Sequence, residues 1–410
     1  MIDLRPVKLL SVALMMVTAG CQSQTTPTTQ PIQRATDVRA MDSDAMPRGR
    51  SVAGAFTTEP VRARSIDDGI TDGIAFLVRA QNANGSWGTG TVSHGNEVTA
   101  SVPGSHKAFR VAVTALSVMA LREATEAGFK GATDAHARGL EWLVTSGESR
   151  REEGMLLYTF WANTFATQAL ASEIAAGNTD PRARAMAQWH IERLVRYATY
   201  VGGWNYYDFA ARTQTPSMGP TTFGSAAGLL ALWQARHAGL DVPQALIDRT
   251  VRQLEISHLP TGAYLYGSDY KYLPYVMPAH MVPGSLGRTQ ACNLALLELG
   301  SSKISVSRAT KELKPFFTDH AAMEMGRKKP FPHESWFQVS GYYYYFGQYY
   351  ASRLIEKLGD EAKAQYAGKL SAEHILQHQE SDGSWWDYAM WDYHKPYGTA
   401  FAIMALLRCR

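Results

Sequence analysis

The sequence predicts an all-α fold, an (α/α)6 toroid of six helical hairpins. Three observations carry that expectation. A short motif recurs at multiples of about 60 residues. A second column of aromatic or apolar residues followed by glycine recurs with it. Two kinds of helical pattern alternate between them.

The motif is clearest at its two ends. Leu77, Gln81, Gly85 and Trp87 share their offsets with Ile375, Gln379, Gly383 and Trp385. Weaker copies run through Leu194, Ala198, Gly202 and Trp204, and through Leu254, His258, Gly262 and Tyr264. The glycine spacing places two degenerate copies near Gly147 and near Met325-Gly326. An amphipathic helix is expected to run up to the Gln. The Gly should end it in a left-handed conformation. The aromatic then folds back on the helix end, and the Gln amide pairs with backbone groups left open there.

The second column reads Phe109-Arg110, Ala162-Asn163, Phe223-Gly224, Leu286-Gly287, Phe346-Gly347 and Tyr397-Gly398. Each pair opens a long apolar helix, so six units of two helices result. The first helix of a unit is charged on one face, as in residues 182–197 and 244–256. The second is apolar nearly all round, as in residues 226–233 and 399–407. A helix apolar on every side must be buried on every side. Half-exposed and buried helices in alternation give an outer ring around an inner one. A linear solenoid is the rival arrangement, and it would expose the two layers more evenly.

The chain has 410 residues, 45% hydrophobic and 11% aromatic, which suffices for a large core. A net charge of +3 with no long basic run gives no footprint for nucleic acid. Arg5 and Lys8 precede an apolar stretch, residues 9–17, too short to span a bilayer. The following Thr18-Ala19-Gly20-Cys21 resembles a bacterial lipoprotein lipobox. That resemblance implies a signal peptide over residues 1–20, lipid on Cys21, and an exported protein anchored on a membrane. The alternative is an ordinary secretory signal cleaved nearby. Residues 21–64, rich in Thr, Gln, Pro, Asp and Arg, read as a flexible tether. Residues 65–410 are assigned to the toroid. Cys292 and Cys409 make neither a disulfide framework nor a metal motif.

The Gln-x3-Gly-x-Trp copies resemble the QW repeats of terpene cyclases. The opening Tyr397-Gly398-Thr399-Ala400-Phe401 resembles the prenyltransferase and squalene-oxidase repeat. The resemblance covers residues 66–408 and implies a terpenoid-cyclase-like toroid with an axial cavity. It does not carry the family chemistry over. Class II cyclases protonate an alkene from an Asp-x-Asp-Asp motif, and the only Asp-x-Asp here is Asp42-Ser43-Asp44 in the tether. Protein prenyltransferases hold zinc with an Asp two places before a Cys, and Gln290 stands two places before Cys292. No metal and no cofactor are therefore expected.

Two functions remain open. One is a binding module that holds a lipid, glycan or peptide in the axial cavity. The other is an extracytoplasmic enzyme using acids or histidines at the cavity mouth, of glycan-cleaving or terpenoid type, since (α/α)6 barrels are common among glycan-cleaving enzymes. Glycan cleavage needs two carboxyls converging within about 5–10 Å. Asp387, Asp392 and Glu334 are the loop acids near aromatics.

In a toroid the inner helices run parallel, so their N-terminal ends meet at one mouth. The long loops before them cross that rim and hold most of the Trp, Tyr, His and acidic clusters. The ligand-binding candidates are Arg110, Trp161, His280, Arg288, His333, Glu334, Tyr345, Asp392, His394 and Tyr397.

Overall fold

A computed structural model describes residues 65–91, 103–151, 157–208, 216, 219–270, 277–329 and 337–410. The expected signal peptide, Cys21 and the tether lie outside the described residues.

Thirteen α-helices follow one another among those residues. They are α1 (Ile66–Ala80), α2 (Pro103–Glu126), α3 (Thr133–Ser146), α4 (Thr159–Ala175), α5 (Pro181–Tyr197), α6 (Thr222–His237) and α7 (Gln244–Ser257). Then come α8 (Val282–Glu298), α9 (Val306–Thr318), the short α10 (Ala321–Glu324), α11 (Tyr343–Leu358), α12 (Asp360–Lys369) and α13 (His394–Arg408). A π-helical turn, Leu370–Ile375, prolongs α12. No strand longer than an isolated bridge occurs among the described residues.

Six of these helices are buried along most of their length. They are α2, α4, α6, α8, α11 and α13, the apolar set read from the sequence. Each packs on the next, α2 on α4, α4 on α6, α6 on α8, α8 on α11, and α11 on α13. Helix α13 then packs on α2, so the inner ring closes. That contact decides against a linear solenoid, whose end helices would not meet. The amphipathic helices α3, α5, α7, α9 and α12 each lie on the inner helix before them. The first outer helix, α1, lies on the last inner one, α13. The chain is therefore an (α/α)6 toroid.

The motif turn explains how neighbouring hairpins are locked. Helix α1 ends at Gln81, which is already extended at φ −71° and ψ 129°. Residues 82–86 form a tight turn closed by Asn82 N donating to Ser86 O at 2.8 Å. The same closure recurs from Thr199 to Gly203, Leu259 to Ala263 and Glu380 to Ser384. The glycine thus does not end the helix, as the sequence suggested. It lies four residues beyond the cap, at φ +91° for Gly85 and +83° for Gly383. Its second role is close approach. A Cβ on Gly85 would meet the carbonyl oxygen of Arg138 in α3 at 2.4 Å, and one on Gly383 would meet that of Asp72 in α1 at 2.4 Å. The Gln amide bridges the same two pieces. Gln81 Nε2 donates to Gly85 O and Ala135 O, both at 2.8 Å, and Gln379 Nε2 donates to Gly383 O and Gly69 O, both at 3.0 Å.

The motif tryptophans are fully buried. Each indole N–H donates to the carbonyl ten residues earlier at the end of its own helix: Trp87 to Leu77 O, Trp204 to Leu194 O and Trp385 to Ile375 O, at 2.7–2.9 Å. Their backbone amides donate to hydroxyls of the following inner helix, Thr114 in the middle of α2, and Ser225 and Thr399 near the starts of α6 and α13. Tyr264 takes the same place in the fourth unit, with its amide on Ser285 and its hydroxyl on Asn293.

Ring closure through Gly383 yields a stability test. Gly300 also has positive φ, at +69°, but a Cβ there would meet nothing within 4 Å. Gly300→Ala should cost about 1–2 kcal/mol, the ordinary left-handed penalty. Gly383→Ala should cost clearly more, because its Cβ also collides with the backbone of α1. Urea unfolding of both variants checks this, and equal losses would contradict the closure contact.

Candidate functional site

Helices α2, α4, α6, α11 and α13, with residues just before four of them, enclose a cavity of about 230 Å³. Its wall is apolar. Ala112, Val113 and Leu116 of α2 line it with Phe109, Trp161, Phe165, Phe223, Phe346 and Phe401. These aromatics hold one another. Trp161 stacks on Phe165 and on Phe223, each with ring centroids 5.7 Å apart. Phe346 and Phe401 close the far side edge-to-face. Phe109, Phe223, Phe346 and Tyr397 are the residues that precede the column position in their units, so in four of the six units the column places an aromatic on the cavity.

Tyrosines complete the lining: Tyr158, Tyr206, Tyr207, Tyr342, Tyr343, Tyr388 and Tyr397. Tyr158 donates to Tyr207 at 3.4 Å, Tyr342 donates to Tyr343 at 3.4 Å, and Tyr206 shares a short hydrogen bond with Tyr266. Burial raises the pKa of Tyr158, Tyr206, Tyr342, Tyr343 and Tyr397 far above the ordinary phenol value. They are neutral hydroxyls at any working pH.

One acid stands directly behind this wall. Asp387 is fully buried. Its Oδ1 and Oδ2 lie 2.6 and 2.8 Å from the Tyr397 hydroxyl, and Oδ2 accepts the Tyr345 amide at 2.9 Å. Burial pushes its pKa up to about 7, against the opposing pull of the Tyr397 hydroxyl, the Tyr345 amide and Arg327. The Tyr397 hydroxyl also lies 3.0 Å from Tyr342 O. It has one proton and so faces a choice. With Asp387 ionised, Tyr397 donates to the carboxylate. With Asp387 protonated, the acid donates to Tyr397, and Tyr397 turns its proton to Tyr342 O.

Of the residues singled out in the sequence, Trp161 and Tyr397 line the cavity. The others are brought elsewhere. Arg110 is half-buried and donates through Nε to Gly88 O at 3.1 Å. Arg288 is not an open rim charge. It is buried, donates to the carbonyls of Tyr264 and Ala279, and lies 5.7 Å from the Tyr266 ring centroid. His280 is buried, accepts the Tyr266 amide at 3.1 Å, and has its pKa lowered to about 4 by burial and then by Arg288. Tyr345 is buried away from the lining, against Tyr344. Asp392 holds the Thr89 amide and hydroxyl, each at 2.6 Å. His394 is buried on the Trp391 carbonyl and packs edge-on against Trp386. His333 and Glu334 lie outside the described residues. Among the described residues, no group of three His, Cys, Asp or Glu is placed to hold a metal ion.

Of the seven lining tyrosines the sequence reading singled out only Tyr397. A signal for others existed. Tyr206-Tyr207, Tyr266 and Tyr388 follow the motif aromatics Trp204, Tyr264 and Trp385 by two or three residues.

A larger cleft of about 430 Å³ lies on the outer wall between α8 and α9. Its lining mixes Leu286 and Val282 with Ser305, Arg308, Lys311 and Glu312. Glu312 is already held there by His258, Arg308 and Asn293.

No protein-family model matches the chain, and no curated protein does. Solved structures match it at low identity. A protein from Klebsiella pneumoniae described as a possible member of the GH105 family is 14% identical, with 89% of this chain and 98% of that one covered, at a TM-score of 0.54. The GH76A α-1,6-mannanase of a Salegentibacter species is 11% identical, with 84% and 98% covered, at a TM-score of 0.54. The type II terpene cyclase MstE of Scytonema is 16% identical, with 84% and 97% covered, at a TM-score of 0.46. The first two likenesses show the toroid fold, and none of the three assigns an activity.

The raised pKa of Asp387 sets a pH dependence. The folded state keeps this proton up to about pH 7, whereas an unfolded Asp loses it near its ordinary value of 3.8. Between those values the folded state binds more protons than the unfolded one, so stability from this group falls as pH rises. Asp387→Asn removes that dependence. The melting temperature of the wild type relative to Asp387→Asn should therefore drop between pH 4.5 and 8. A difference that stays constant would mean that Asp387 is ionised throughout.

Proposed function

We propose that the axial cavity holds an apolar ligand, a single isoprenoid- or acyl-type chain or a small ring system, whose polar end meets the tyrosine hydroxyls. The observation that carries this reading is the lining itself, which is aromatic and aliphatic with neutral hydroxyls and contains no carboxylate or cation. The volume of about 230 Å³ exceeds the ~150 Å³ of an apolar cavity that takes benzene and falls short of the ~300–1,000 Å³ of a drug-sized site. A glycan fits poorly. Its many hydroxyls would each lose a hydrogen bond on entering an aromatic wall, and hydrolysis would require two carboxyls facing the bond. In the signal-peptide reading of the sequence, the chain would offer this cavity outside the cytoplasm from a lipid anchor at Cys21.

A second reading, an enzyme of terpenoid type, is favoured by one observation, the Asp387–Tyr397 pair. With a pKa of about 7, Asp387 would hold a proton near neutrality. Tyr397 could pass its hydroxyl proton to an alkene carbon while taking the proton of Asp387. The π electrons would form the new C–H bond and leave a carbocation, and the faces of Trp161, Phe223 and Phe346 suit a cation.

The two readings separate in one experiment. Binding of farnesol, geranylgeraniol and palmitoleic acid is followed by quenching of tryptophan fluorescence, and products are sought by gas chromatography. Both readings predict saturable binding by at least one of these probes, weakened about tenfold or more by Trp161→Ala. The enzymatic reading further predicts a product that Asp387→Asn abolishes with binding kept. Binding of oligosaccharides in preference to all three probes would overturn both.

A further inference from the structure

Helix α8 is the one inner helix that contributes no residue to the lining of the axial cavity. Its Leu286, Thr289 and Gln290 face the outer cleft. Arg288 stands two residues on from Leu286, about 200° around the helix, and so points the other way, toward the interior of the ring. It is 3% exposed. Its Nε and Nη2 donate to Tyr264 O at 3.2 and 3.1 Å, and Nη2 also donates to Ala279 O. Among the described residues no carboxylate pairs with it, and its Nη1 donates to none of them. A guanidinium cannot shed its charge by losing a proton. A cation buried without a counter-charge is costly, and neutral carbonyls offset only part of that cost.

The tyrosines of the cavity wall are its neighbours. The Arg288 guanidinium carbon lies 5.7 Å from the Tyr266 ring centroid. Tyr266 shares its hydroxyl hydrogen bond with Tyr206, and Tyr342 donates to Tyr343 at 3.4 Å. Burial lowers the pKa of Arg288, and Tyr343, Cys292, Tyr266 and Tyr342 stand close enough to oppose that shift. Tyr206, Tyr342 and Tyr343 line the cavity. The same tyrosine cluster therefore faces the cavity and feels the buried cation.

We propose that the polar end of the cavity's ligand is a carboxylate, received by the hydroxyls of Tyr206, Tyr342 and Tyr343 in front of Arg288. The inference rests on the apolar-ligand reading of the cavity and names the head group. A phenol beside a cation turns its oxygen toward the charge and its proton away, which offers that proton to an anion. The anion supplies the counter-charge that Arg288 lacks, and a low local dielectric strengthens the pair. The other groups around Arg288 do not take that part. His280 is neutral, since burial and then Arg288 lower its pKa to about 4, and burial raises that of Cys292 to about 12. Glu312 lies on the outer cleft and is held by His258, Arg308 and Asn293. Asp387, behind Tyr397, keeps its proton up to about pH 7. One buried cation matches a single carboxylate rather than a diphosphate.

Decanoate and decanol share a chain and differ in the head group. Their binding to the full chain is compared by tryptophan fluorescence at about pH 6, where Asp387 still keeps its proton. An apolar cavity with no cation behind it prefers the alcohol, because a carboxylate loses more hydration on entry. With Arg288 in place, decanoate should bind about tenfold or more tighter than decanol, and Arg288→Gln should reverse that order. Circular dichroism checks that the variant folds. A second measurement needs no variant. Decanoate labelled at its carboxyl carbon is titrated in the wild-type complex by NMR, and the bound head group should stay ionised to a lower pH than the free acid. Decanol bound more tightly than decanoate, or a bound acid whose pKa lies above that of the free acid, overturns the proposal and leaves the apolar-ligand reading standing. A folded Arg288→Gln that keeps the preference for decanoate also overturns it. Binding of neither probe overturns both.

Discussion

Each motif tryptophan is buried completely while its single polar atom donates to a carbonyl at the end of its own outer helix. The rest of the ring depends on that arrangement. A helix end leaves backbone carbonyls without intrahelical partners, and burying such an end without partners would be costly. The indole satisfies one of them and at the same time fills the space between an outer helix and the inner layer. Gly139 of α3 and Gly73 of α1 are small because Trp87 and Trp385 lie against them. The Gln amide and the close glycine then fix the turn on the next outer helix. Through Gln379, Gly383 and Trp385 the sixth unit makes on α1 the contacts that the first unit makes on α3. The ring closes because its last joint repeats its first.

Closure is what makes an axial cavity. In four of the six units the side chain just before the column position, Phe109, Phe223, Phe346 or Tyr397, is turned by the closed ring toward a common axis. The cavity is therefore a by-product of the repeat, and its chemistry is set by what each repeat contributes there. Five of the six units contribute aromatics to the lining from their inner helices or the residues just before them. The fourth departs, because Leu286 faces the outer cleft instead. Into this apolar setting the chain places one acid, and burial rather than a neighbouring charge governs it. A carboxyl in such a place keeps its proton to near neutrality, which a surface Asp never does.

The fold was legible because a period of about 60 residues with fixed offsets survives in four copies, and because a helix apolar on all sides has only one place to go. Ring closure was an inference from those two helix kinds, and the α13–α2 contact supplies it directly. The site was legible only in part. Trp161 and Tyr397 were found because they adjoin the column. Arg288 and His280 were read as rim groups because polar residues near a mouth usually face it. The structure instead turns both inward to satisfy backbone of the fourth motif turn, Arg288 on Tyr264 O and His280 on Tyr266 N. Side-chain direction at these positions is set by backbone groups 14 and 24 residues away in the same unit, and no pattern along the helix start encodes it. The Asp387–Tyr397 pair joins a motif loop to a column residue ten positions on, and Asp387 was noticed only as one acid among three.

The joint between the sixth unit and α1 is the central claim, and native-state hydrogen exchange at the two ends of the chain measures it most directly. If the ring is closed through Gln379, Gly383 and Trp385, the amides of α1 exchange with the same high protection as those of α13, and Gly383→Ala lowers both together. An α1 that exchanges far faster than α13, as the free end helix of an open array would, contradicts the account.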